Sequence, residues 1–250
     1  MAEKNSGLIA CSRYSYPPNS LSLCGPINQK TNLKFYTTEG LTDLGTKEIL
    51  KQFSTLYPYL TLIASQNNLT DPFDSRVVEA YWLGNSLLNK IPKAKLYNHL
   101  TETMGLKKKL KRKELNNISD KLTVLSLPHH SFHVLNIYRR TGHQDSPQTI
   151  ETMDACIINW GEVLEIDGGK IKIKTQRLTH SLGKLSFEKN IIRTVKTQGL
   201  EDQPLLRLKV GDFISYHWGY FCQKLNSPVL NNLKYYTALS INSANWKPAL

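Results

Sequence analysis

The spacing of apolar residues along the 250-residue chain changes near Leu122. From Thr37 to Lys113 they recur every three or four positions, the signature of one buried helix face. In 37–53 they fall at Leu41, Leu44, Ile49 and Phe53, interrupted by glycines, and 56–68 reads as a short buried helix with Pro58 near its start. The best-marked helix is 71–91. Asp71 suits its N-cap, Pro72 its first helical position, and Asp74 puts negative charge in its first turn. Val77, Val78, Tyr81, Leu87, Leu88 and Ile91 then form a broad apolar stripe, and Pro92 closes it. The first 35 residues are rich in Ser, Asn and Pro and read as irregular, with a turn at Leu23–Pro26.

Beyond Leu122 the period shortens to two. Residues 122–140 read as two extended pieces around Pro128, and Arg140–Thr149 has the composition of a linker. Short strands follow at 155–166, 170–178, 183–197 and 210–221. The first two are joined by Gly168–Gly169, a tight-hairpin signal. In the last strand Phe213, Ser215 and His217 fall on one face, with Ile214, Tyr216 and Trp218 on the other. A closing helix runs over 225–241, with Ser227 as cap, Pro228 as first residue, and Val229, Leu233 and Tyr236 on one face. The expected architecture is therefore α+β: a mostly helical domain over 1–145, then a small OB-like β-barrel with a C-terminal helix over 150–250.

Composition adds bounds. No apolar run reaches the roughly 18–20 residues a bilayer crossing needs, and the N-terminus lacks the apolar core of a secretory signal, so a cytoplasmic protein without a membrane partner is expected. The four cysteines, Cys11, Cys24, Cys156 and Cys222, form no CxxC pair, and the default is reduced, packed thiols. The net charge of +12 owes much to Lys107–Lys113, where six of seven residues are basic. Without neighbouring aromatics for base stacking, this run reads as a solvated face, and nucleic acid is not the expected partner.

Chemistry-bearing residues gather in three places. His129, His130 and His133 would put His129 and His133 on one strand face with His130 turned away, and hydrogen-bonded structural histidines are the first reading there. Cys24, before a Gly-Pro turn, and Glu79, beside the apolar stripe, could join these histidines in a second metal or ligand site. The third place is the C-terminal pair of Cys156 and His217.

The third place carries a resemblance. Cys156–Ile157 is followed by Gly161 at the right spacing, 162–174 forms a strand-turn-strand, Val210–Gly211–Asp212 precedes His217–Trp218–Gly219–Tyr220, and a helix closes the chain. In these features residues 153–241 resemble the HypC/HybG/HupF family, the small chaperones of [NiFe]-hydrogenase maturation. Here Cys156 is internal, where the family's cysteine follows the initiator Met. Trp160 replaces the family's proline, and the segment 179–206 is longer than its counterpart. The N-terminal part also looks like that of an uncharacterised bacterial family whose members end in this barrel. The resemblance implies that Cys156 and His217 hold iron, Fe(II) carrying CN and CO ligands. The partners would be a maturation scaffold protein or the hydrogenase large-subunit precursor. An accessory metallochaperone is expected rather than an enzyme. The alternatives are a metal- or thiol-dependent enzyme with its site between the two parts, and an OB-like nucleic-acid binder.

Overall fold

The computed structural model describes residues 2–40, 42–137, 148–197 and 207–246. Most of the Arg140–Thr149 linker and Leu41 lie outside the described residues.

The fold is mixed α and β: helices first, then a five-stranded sheet, then a long closing helix. The first 35 residues are not irregular. They form α1 (Ala2–Ser20), a short 3-10 turn at Ile27–Gln29 and the start of α2 (Lys30–Glu39). Burial explains the difference. Cys11, Tyr14, Ser15 and Asn19 are all inaccessible, so tertiary packing overrides a composition that favours loops. Next come α3 (Leu44–Lys51), opened by an Asp43–Thr46 capping box, and α4 (Leu56–Gln66), the expected buried helix.

The helix expected over 71–91 is shorter. Asp74, not Asp71, is its N-cap: α5 spans Ser75–Trp82, while the Asp71 carboxylate accepts from the Phe73 amide in a turn ahead of it. Gly84 (φ +87°) ends the helical run. A Cβ there would lie 2.1 Å from the Tyr236 ring, so the break also lets α5 meet the last helix. Ser86–Lys90 continues as a 3-10 turn, and Pro92 opens α6 (Lys93–Asn98) instead of closing its predecessor. A π-helical segment at His99–Thr103 leads to α7 (Leu106–Lys109) and α8 (Arg112–Leu125). The basic run straddles α7 and the start of α8, with all six of its cations exposed.

Two further expectations fail in ways that matter for the site. The stretch around Pro128 is not extended. His129 is an N-cap and His130–Asn136 is a helix, α9. Ala155 and Cys156 do not begin the first strand either: Thr149 and Thr152 form a capping box that starts α10 (Ile150–Cys156), which includes both. Cys156 therefore ends a helix, and Ile157 turns the chain into β1 (Asn159–Asp167).

The sheet continues with β2 (Lys170–Ser181), β3 (Lys184–Lys196), β4 (Phe213–His217) and β5 (Tyr220–Leu225). Gly168–Gly169 make the expected two-residue turn between Asp167 and Lys170. The strand order is β1-β2-β3-β5-β4, and β4 returns to pair with β1, so the ring of pairings closes. Val163, Ile171, Ile173, Val195, Ile214, Tyr216 and Phe221 fill the sheet's concave side. The opposite face of β4 meets the helices. The Tyr14 hydroxyl lies 2.7 Å from Ser215 Oγ. The last helix, α11, runs Ser227–Asn245 and is capped by Asn226 rather than Ser227.

One apolar cluster runs through both parts of the chain, from Cys11 and Tyr14 through Tyr59, Tyr81 and Phe132 to Ile158, Cys222, Leu233 and Tyr236. Each large side chain fully buried there contributes about 1.5–3 kcal/mol. No described helix is long and apolar enough to cross a membrane.

Candidate metal centre

Where helices and sheet meet, three side chains converge. His130 from the first turn of α9, Cys156 from the end of α10 and His217 from the end of β4 bring their ligand atoms within 4.8 Å of one another. His130 Nε2 lies 4.0 Å from Cys156 Sγ, and the two imidazole centroids are 5.3 Å apart at 82°. Cys156 and His217 were expected as a pair, and His130 was expected with Cys24, Glu79, His129 and His133 in a second site; helix α9 instead turns its ring toward the pair.

Local structure explains each placement. Asp154 anchors α10: Oδ1 accepts from the Leu178 amide at 2.6 Å and Oδ2 from Arg193 Nη2 at 2.5 Å. His217 is the last residue of β4 because Trp218 and Gly219 (φ +51° and +76°) make a two-residue hairpin turn whose handedness matches strand twist. The Trp218 amide donates to the Ala155 carbonyl at 2.9 Å, tying that turn to the residue beside Cys156. Trp82 packs over both rings, with centroids 4.6 Å from His130 and 5.6 Å from His217.

Hydrogen bonds fix the tautomers, since a carbonyl can only accept. His217 Nδ1–H donates to the Tyr14 carbonyl at 2.7 Å. Its Nε2 therefore carries a bare lone pair, and that atom is buried without a hydrogen-bond partner among the described residues. His130 is arranged the other way round. Nε2–H donates to the Cys156 carbonyl at 2.7 Å, and Nδ1 accepts from the Tyr81 hydroxyl, 3.1 Å away. For His130 to ligate through Nε2 its proton must move to Nδ1, where Tyr81 Oη can accept it. His217 is thus ready as a ligand and His130 conditional on one proton shift.

Burial lowers the pKa of both imidazoles. His217 falls to about 4, against the opposing pull of the Tyr14 carbonyl and then the Cys156 carbonyl, and burial, with His217 adjoining, holds His130 well below its usual value. Both are neutral at pH 7, the state a metal requires.

The triangle borders a cavity of about 80 Å³ walled by Leu23, Phe53, Leu56 and Val134 among others. That is room for several waters or a ligand of a few atoms. Cys24 also lines this cavity, its thiol pushed up to about 11 by burial. His133 lines it too, with Nδ1 3.0 Å from the Tyr59 hydroxyl. The remaining residues of the expected second site lie elsewhere. His129 accepts from the Ser131 amide and stacks on Tyr236, and Glu79 accepts from Asn85.

These residues fit a metal. Two imidazoles and a thiolate are a donor set for Fe(II), Zn(II) or copper. Bonds of ~2.0–2.3 Å would need donor separations of roughly 3.4–3.8 Å, so the triangle closes in by up to ~1.5 Å on binding. The orphaned Nε2 of His217 is the kind of buried lone pair that otherwise costs stability.

A family model described as a family of unknown function (DUF6390) matches residues 3–249, and the chain belongs to that family. No curated protein and no solved structure matches it.

Proposed function

We propose that this member of the family of unknown function (DUF6390) is a metallochaperone-like accessory protein that holds an iron unit through His130, Cys156 and His217. The observation that carries the reading is the convergence of those three donors, one of them a buried imidazole nitrogen with no hydrogen-bond partner among the described residues. Three protein ligands leave coordination positions open toward the cavity, which suits a cargo that arrives with small ligands of its own and must leave again. The chain's own residues have defined tasks. Tyr14 and Tyr81 orient the imidazoles, Asp154 holds the thiol-bearing helix, and Trp82 with the apolar wall keeps water away.

The resemblance of residues 153–241 to the HypC/HybG/HupF family supports the choice of cargo, Fe(II) with CN and CO ligands. It also supports the choice of partners: a maturation scaffold protein or a hydrogenase large-subunit precursor. The ring of strand pairings and the closing helix support reading the sheet as an OB-like barrel. In this reading the protein works in the cytoplasm.

The test is anaerobic purification from a hydrogenase-producing host, followed by iron analysis and infrared spectroscopy. Iron with cyanide and CO bands, lost in Cys156→Ser and in His217→Ala, is the expected result. Iron-free protein without those bands would overturn the choice of cargo.

A second reading, a small-molecule enzyme, has one observation in its favour: the cavity draws its walls from both parts of the chain and adds Cys24. Under that reading Cys24→Ser abolishes the native phenotype. Under the carrier reading Cys24→Ser is tolerated and Cys156→Ser is not.

A further inference from the structure

Helix α1 contains two consecutive prolines, Pro17 and Pro18. Proline has no amide hydrogen, so the carbonyls four residues earlier, those of Arg13 and Tyr14, lose their helical donors. Buried carbonyls need replacements, and both come from the adjacent hairpin. Cys222 Sγ lies 3.6 Å from the Arg13 carbonyl oxygen, and His217 Nδ1 lies 2.7 Å from that of Tyr14. Pro18 exposes the carbonyl that His217 takes, and Pro17 the one that Cys222 faces, whose thiol lies equally far, 3.6 Å, from the Tyr220 carbonyl.

We propose that Pro18 is a positioning residue for the metal centre, holding His217 in the Nδ1–H tautomer by keeping the Tyr14 carbonyl free of a helical donor. The inference rests on the metal-binding reading given above and adds a cause for its most telling feature, the bare Nε2 of His217. An alanine at position 18 would supply an amide directed along the helix axis at Tyr14 O. It would also relieve the clash that a helix-interior proline ring makes with the carbonyl four residues earlier. With the carbonyl drawn back into the helix, the imidazole loses the acceptor that selects its tautomer, and Nε2 is protonated in part of the population. Orienting partners of this kind are worth 10–100-fold in metal affinity. Pro17 provides the comparison, since the carbonyl it strands faces the Cys222 thiol and not the His217 imidazole.

The experiment uses the full-length chain and two readouts. Long-range 1H–15N NMR of the imidazoles reports the His217 tautomer without any metal, and anaerobic Co(II) titration reports affinity. The expected results are a single Nδ1–H tautomer in the wild type, mixed tautomers in Pro18→Ala, and Co(II) affinity weakened on the order of 10-fold in Pro18→Ala. Thermal stability in Pro18→Ala should be equal or higher, because a helix-interior proline has been removed, and Pro17→Ala should match the wild type in both readouts. An Nε2–H tautomer in the wild type would overturn the proposal, and it needs no variant to fold. So would a Pro18→Ala protein with unchanged tautomer and affinity, or equal losses in the two variants. Should the wild type bind no Co(II), the metal reading fails, while the tautomer measurement still decides the role of Pro18.

Discussion

Single residues of the buried histidine group report on protonation. His99 and His133 flank Tyr59, and burial lowers their pKa to about 4 and about 3, with the charge of His99 adding to the effect on His133. Their unfolded value is near 6.5. Because the folded values are depressed, these imidazoles contribute full stability above about pH 6.5, and that contribution drains away as the pH falls toward their folded values. Each should cost about 1.4 kcal/mol per pH unit inside that window. Urea unfolding of the apoprotein at pH 7.5, 6 and 5 should show the decline, and His99→Phe should flatten the slope by one proton. Tyr81 tests the conditional ligand. Removing its hydroxyl leaves the metal-bound tautomer of His130 without an acceptor at Nδ1, so Tyr81→Phe should weaken Co(II) binding by about 10-fold in a competition titration. An unchanged affinity would mean that His130 does not ligate.

Among the elements, α10 is the one on which the site depends, and Asp154 is its anchor. Truncation to alanine takes the acceptor from the Leu178 amide and leaves the half-buried Arg193 guanidinium with Tyr216 but without its carboxylate. The expected loss is about 2–4 kcal/mol in denaturant unfolding, with metal affinity falling as Cys156 loosens. The same element shows why the sequence was only partly legible. The two faces of β4, the Gly168–Gly169 hairpin and α4 could be read from periodicity and turn chemistry, which are local. Helices α9 and α10 could not, because Pro128 and the β-branched run at Ile157–Ile158 suggest extended chain. The signals pointing the other way were short: His129 as a cap, and the Thr149–Thr152 box. The third donor went unrecognised because His130 meets Cys156 and His217 only through the packing of α9 against α10 and β4, a contact that no local pattern records. In α1 the two prolines argued for a loop. The helix persists because the carbonyls they strand are taken up by residues about 200 positions away, a compensation that no local pattern contains.

At the scale of the whole molecule, helical part and sheet are held by one core, and the site exists only at their junction. Tyr14, Tyr81, Trp82 and His130 precede the linker, while Cys156 and His217 follow it. A fragment of residues 150–250 would expose Cys222, Ile158 and Leu233, and should show no cooperative unfolding transition by near-UV circular dichroism. Iron should stabilise the full chain by mass action, about 2.7 kcal/mol at a concentration 100 times the dissociation constant, with Cys156→Ser losing the increment. The most direct measurement is iron K-edge X-ray absorption on full-length protein loaded anaerobically with one equivalent of Fe(II). The expected result is one sulfur scatterer at ~2.3 Å and imidazole nitrogens at ~2.0–2.1 Å, with the sulfur shell lost in Cys156→Ser and the imidazole signal diminished in His217→Ala. A first shell of light atoms alone, unchanged by either substitution, would contradict it.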